Sequence, residues 1–186
     1  MRRFVHKPFL FSVLLTLSLV LAAGCGKTDA GKTGPGSDTG DTASLPDGLF
    51  LASAPEGAQT IASLKENASE GDEVVVHVVV GGRMDPLVAG RASAAIIDAG
   101  LDNPCTGEDD HCQTPWDYCC TPPEDITANL ATLQVVDAEG RVLAADLSDM
   151  FQPMAVLTVR GVVGARPDPQ VLTINATGIY IAPDTH

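Results

Sequence analysis

The sequence predicts an all-β domain, a barrel of five main strands with a long cysteine-rich loop between the second and third. Three observations carry this. Val74–Val80 holds six Val in seven residues, a β-branched run with glycine on both sides. The other apolar segments are of strand length and are separated by Gly, Pro and Asp turns. Aromatic residues make up only 4% of the chain, so Val, Ala, Ile and Leu must supply the core.

Thr60–Glu66 reads as a short helix ahead of the sheet. Glu70-Gly71-Asp72-Glu73 is a turn that delivers the Val run, which is apolar on both faces except at His77. A histidine in mid-strand reads as a satisfied barrel residue. Gly81-Gly82 ends or kinks this strand. Arg91–Ile97 is the second strand, closed by Asp98, and the cysteine loop runs from Asp98 to about Asp125. Leu130–Asp137 is the third strand. Asp137–Gly140 is a hairpin turn, after which Arg141–Ala145 pairs back. Leu147–Met154 reads as a short helical connection. Ala155–Val163 and Val171–Ile181 are the last two strands, and Pro167 and Pro169 forbid strand between them.

Five strands in this order, with a Gly-Asp turn before the first and a small connection before the fourth, resemble an OB-fold, a Greek-key sheet closed on itself. The resemblance covers roughly residues 60–182. A two-sheet β-sandwich is the alternative, because strand number and length fit it as well.

The N-terminus reads as an export signal. Arg2, Arg3 and Lys7 precede the apolar run Phe9–Leu21, which is too short for a comfortable membrane span. It ends in Leu21-Ala22-Ala23-Gly24-Cys25, which resembles a bacterial lipobox, with Ala22 where Leu is commonest. The resemblance implies a signal peptide over 1–24 and a lipid on Cys25, so that the chain is anchored to a membrane rather than spanning it. Ordinary secretory cleavage is the alternative. Gly26, being other than Asp, favours the outer membrane. Residues 25–48, rich in Gly, Ser, Thr, Asp and Pro, read as a flexible tether that cannot offset its ordering entropy by burial. Residues 49–186 form one domain.

All 24 acidic residues and eight of the 11 basic ones follow Cys25, so the chain beyond it carries 8 − 24 = −16. Such a surface repels nucleic acid, and the domain has neither a basic groove nor the aromatics that stack bases. The expected partners are therefore the membrane, through the lipid, and an envelope protein or small ligand, with no nucleic acid.

Cys105, Cys112, Cys119 and Cys120 fall within sixteen residues of a Pro-rich loop that also holds Trp116, Asp117 and Tyr118. The string Thr-Pro-Trp-Asp-Tyr-Cys-Cys is similar to one in uncharacterised exported lipoproteins of planctomycete-type bacteria. That resemblance implies a compartment but no activity.

Three chemistries compete for this loop. In an oxidising compartment an even set of four cysteines forms two disulfides, in any of three pairings. A vicinal bond is strained, so Cys119 and Cys120 are expected each to reach back to Cys105 or Cys112, around an apolar centre of Trp116 and Tyr118. The second chemistry is a zinc or copper site on Cys105, His111, Cys112, Cys119 and Cys120, although gaps of six, six and zero depart from Cys-x₂₋₄-Cys knuckles. Calcium on Asp109 and Asp110 is a weaker variant without an EF-hand pattern. The third is redox work by Cys119-Cys120, which lacks the Cys-x-x-Cys helix setting.

Nucleophile, zinc-protease, phosphate-loop and dinucleotide motifs are missing from the sequence. With His77 and His111 as the internal histidines of the domain, a hydrolytic triad has little to draw on. The Asn-x-Ser/Thr matches at Asn67 and Asn175 read as chance. The expectation is a lipid-anchored envelope protein without enzymatic activity. Its barrel would bind a ligand or partner beside a disulfide-stapled loop built on Cys105, Cys112, Cys119 and Cys120, with Trp116, Asp117 and Tyr118 as binding residues. Metal binding through the Cys/His loop is the alternative.

Overall fold

The computed structural model describes residues 43–107 and 111–183. The signal peptide, Cys25, most of the tether, Asp109, Asp110 and His186 lie outside them. Five strands, β1 (Glu73–Val80), β2 (Ser93–Asp98), β3 (Leu130–Gln134), β4 (Val156–Val163) and β5 (Thr173–Ile181), close into a barrel in the order β1-β2-β3-β5-β4. β4 returns to β1 with Val76 opposite Val159, and β3 pairs with β5 in parallel while every other pair is antiparallel. This closed, OB-like barrel is the expected architecture and removes the sandwich alternative.

Alternation puts Val74, Val76, Val78 and Val80 inside, where they join Ala94, Ile96, Leu133, Leu157, Val159, Ile174 and Ile179 in one core. His77 is on the outer face of β1, exposed, with Nδ1 3.1 Å from Thr158 Oγ1. On β5 an extra residue, Thr177, lies between the pairs Arg160–Gly178 and Gly161–Ala176. This bulge presses the β5 backbone onto Gly161, where a Cβ would sit 2.6 Å from the Asn175 carbonyl oxygen.

Two short helices pack beside the barrel: α1 (Ile61–Asn67) and α2 (Pro123–Asn129). Thr60 caps α1, its hydroxyl accepting from Ser63 N. The Asp98 carboxylate, at the end of β2, accepts from Ile61 N at 2.9 Å and from Gly100 N at 2.9 Å, tying the helix start to the barrel. Arg166 closes the other end, its guanidinium donating to the Leu64, Lys65 and Ala68 carbonyls.

Two expectations are corrected. Leu147–Met154 forms a turn, with Met150 N and Phe151 N both donating to Leu147 O, and Pro153 and the positive φ of Met154 (72°) prevent its growth into a helix. The third strand stops at Gln134, while Arg141–Ala145 pairs back across the Asp137–Gly140 turn through the Val136–Val142 bridge, Asp137 N donating to Arg141 O and Leu143 N to Val135 O. The chain is already bonded to the β3–β4 connection at Ala43, whose N–H donates to Ala144 O, and Leu49 is buried in the core. Among the described residues no helix is long and apolar enough to cross a membrane.

Candidate functional site

The loop between β2 and β3 is not a free excursion. It makes two 3-10 turns, Pro104–Thr106 and Pro115–Asp117, then α2, and folds back over the outer face of the barrel. Its anchor is Tyr118, 2% exposed, which packs on Val79 and Ile97 with Leu101, Ile126 and Met154 around it. This explains why β1 and β2 are apolar on both faces: Val78 and Ile96 fill the barrel, while Val79 and Ile97 carry the loop. Burial raises the Tyr118 hydroxyl above its ordinary pKa. Tyr118 also holds a left-handed backbone, φ 59°, a cost on the order of 1 kcal/mol that the burial of its ring offsets.

A second attachment runs through the backbone. Gly82 N donates to the Trp116 carbonyl at 2.7 Å, and a Cβ on Gly81 would lie 2.5 Å from that oxygen. The Gly81-Gly82 pair therefore admits the loop as well as ending β1. The Trp116 indole donates to Met84 O at 2.8 Å but stays half-buried, so Tyr118 alone forms the apolar centre expected of the two rings. Asn103 joins the two turns: its Nδ2 donates to Pro115 O and its Oδ1 accepts from Cys105 N.

These attachments gather the sulfurs. Cys119 Sγ lies 3.4 Å from Cys105 Sγ, 3.5 Å from Cys112 Sγ and 3.7 Å from Cys120 Sγ. None is at disulfide length, about 2.05 Å. Two triads share Cys119: Cys105, Cys119 and Cys120, and Cys112, Asp117 and Cys119, with ligand atoms in each within 4.8 Å of one another. Asp117 holds Cys119 in place, accepting from its N–H at 2.9 Å while Thr114 donates to the second carboxylate oxygen. Cys105 is buried, Cys112 half-buried, and Cys119 and Cys120 are exposed.

Cys105 and Cys119 hold their protons unequally. A hydrogen bond with Cys120, then one with Cys119, holds Cys105 below its ordinary pKa against the opposing effect of burial. Cys119, bonded first to Cys105 and then to Cys112, is pushed far up. Of these two, Cys105 is therefore the readier to ionise, its thiolate stabilised by hydrogen bonds from its neighbours.

Of the residues singled out in the sequence, the four cysteines and Asp117 come together. Exposed His111 belongs to neither triad. Trp116 and Asp117 remain partly accessible, whereas Tyr118 faces the barrel. Sequence reasoning missed Asn103 and Thr114, for which Asn103-Pro104 and Thr114-Pro115 were the available turn signals.

Fold and site define a small closed β-barrel carrying a thiol-rich loop docked on its outer wall. Comparison with protein-family models, curated proteins and solved structures finds no match.

Proposed function

We propose that this chain is a non-enzymatic envelope protein, held to a membrane by lipid on Cys25, whose barrel presents the 98–125 loop to a ligand or protein partner. The observation that supports it best is the docking of that loop through buried Tyr118, which fixes Trp116 and Asp117 beside it at an accessible face. Fixing a surface before it binds lowers the ordering cost of binding.

In this reading the staples are Cys105–Cys120 and Cys112–Cys119. Cys112 shares a triad with Cys119 alone among the cysteines, and Cys105 shares one with Cys120. The pairing Cys105–Cys119 with Cys112–Cys120 is the alternative, and the third pairing needs a strained vicinal bond. The outer bridge closes a loop worth about 3 kcal/mol and the inner one about 2 kcal/mol.

Zinc or copper binding is the second reading, favoured by one observation. Contacts of 3.4–3.7 Å approach the edge, about 3.8 Å, of a tetrahedron of sulfurs with zinc bonds of about 2.3 Å. Against it, a four-thiolate site needs all six sulfur distances alike, and the two triads share only Cys119.

The test is fractionation of cells expressing the full chain or Cys25→Ser, with elemental analysis of the envelope-purified protein. The proposal expects detergent-extractable full chain, release of the variant from the membrane, and no stoichiometric metal. Membrane retention of the variant contradicts the lipid anchor. One zinc or copper per chain replaces the staples with a metal site.

A further inference from the structure

Beyond Cys25 the chain has eight cationic side chains against 24 acidic ones, so each cation is expected to find a carboxylate. Among the described residues the ion pairs are those of Arg141 with Asp137 and Glu139. Among the described residues Lys65 on α1, Arg83 on the β1–β2 loop and Arg166 on the β4–β5 loop join no ion pair, yet Lys65 shares a cavity lining with Arg83 and its carbonyl accepts from Arg166. Lys65 and Arg83 line a cavity of about 220 Å³ with Thr127, Thr132, Gln170 and Leu130, and no acidic side chain lines it. An adjoining groove of about 460 Å³ shares Lys65 and Gln170 but carries Glu66.

We infer that this cavity is a binding site for a small organic anion, a carboxylate carried on a hydroxylated ring. Arg83 and Lys65 meet the carboxylate, Thr127, Thr132 and Gln170 offer hydroxyl and amide groups to the ring hydroxyls, and Leu130 gives the ring an apolar wall. The volume lies below the roughly 300–1,000 Å³ of drug-sized sites, which suits a single ring. Glu66 repels a second carboxylate in the adjoining groove, confining the charge to the first cavity.

The cavity is held ready before a ligand arrives. The Arg166 guanidinium is fixed by the backbone carbonyls of Leu64, Lys65, Ala68 and Pro169, and the Lys65 ammonium by the Thr127 carbonyl. Burial and then the Arg166 charge lower the Lys65 pKa, and no acidic side chain lines the cavity to oppose them. An anion seated there opposes the Arg166 charge and raises the Lys65 pKa.

The experiment is titration of the full chain with galacturonate, galactose and inorganic phosphate at low ionic strength, read by calorimetry and by the NMR resonances of Lys65. Saturable galacturonate binding is expected, with galactose and phosphate each at least tenfold weaker and the Lys65 pKa rising on saturation. Arg83→Gln, a change at an exposed side chain, should weaken galacturonate at least tenfold, while Arg160→Gln on β4 should leave it unchanged. A trigalacturonate that binds more tightly than the monomer assigns a polymer end as the source, and equal affinity assigns the free acid. No saturable galacturonate binding, an Arg83→Gln protein that binds as well as the parent, or galactose or phosphate equal to galacturonate would overturn the inference.

Discussion

The barrel wall and the loop that leans on it are built from different materials. The wall is made of Val, Ile, Leu and Ala in alternation, and its inward side chains join one core. The loop spans more than twenty residues yet buries few large side chains, Tyr118 above all. A strand order this regular is stabilised by burial along its whole length. The loop instead concentrates its attachment at one aromatic ring and one glycine pair, with a group of sulfurs gathered beside them. Change in the wall should therefore be felt globally, and change in the loop locally and in a definite rank.

The largest expected effect comes from Tyr118→Ala. It opens a cavity over Val79 and Ile97 and removes the loop's anchor, at a cost of about 3 kcal/mol in denaturant unfolding. A loss confined to a few tenths of a kcal/mol would mean that the cysteines alone position the loop. Next is Cys112→Ser with Cys119→Ser, expected to lower stability by about 2 kcal/mol and to speed amide exchange in 103–121 while β4 and β5 keep their protection. Equal loosening of loop and barrel would erase the distinction between them. Gly81→Ala should follow, at about 1–2 kcal/mol, because its Cβ meets the Trp116 carbonyl and forces the two backbones apart. Trp116→Phe removes only the indole hydrogen bond to Met84, about 1 kcal/mol.

The smallest effect lies on the barrel side and depends on pH. Asp146 accepts from the Ser148 hydroxyl, the Ser148 N–H and the Gly90 N–H, which hold its carboxyl below the usual range. A depressed native pKa means that this stabilisation is complete above the unfolded value, about 3.9, and fades as pH falls through the native one. Asp146→Asn should therefore flatten the acid limb of a stability–pH curve while leaving Tyr118 fluorescence unchanged. An unaltered acid limb would show that the turn it braces contributes nothing.

The barrel was largely legible in the sequence because strand alternation and glycine punctuation are local signals. The Val74–Val80 run, the Arg91–Ile97 strand and the last two strands lie within a few residues of their observed bounds. The loop was legible as a loop, but not its docking. Six Val in seven residues announce two buried faces without saying what covers the second, and Tyr118, 39 positions after Val79, does so through a contact that no window reveals. Helix α2 escaped notice because Ile126 is the one large apolar residue in Pro-Glu-Asp-Ile-Thr-Ala-Asn. Its signals were chemical, with Pro123 at the first helical position and Glu124 and Asp125 at the positive end of the helix dipole. The cation-lined cavity gathers residues from α1, α2, β3 and two loops and left no linear trace.

The central claim is that the loop is fastened by paired sulfurs beside a tyrosine anchor. Non-reducing peptide mapping of the envelope-purified protein tests it most directly. The account predicts linked peptides joining Cys105 to Cys120 and Cys112 to Cys119, with none of these four thiols open to alkylation. Two or more alkylated thiols among them, or a map that joins Cys105 to Cys119, would contradict it.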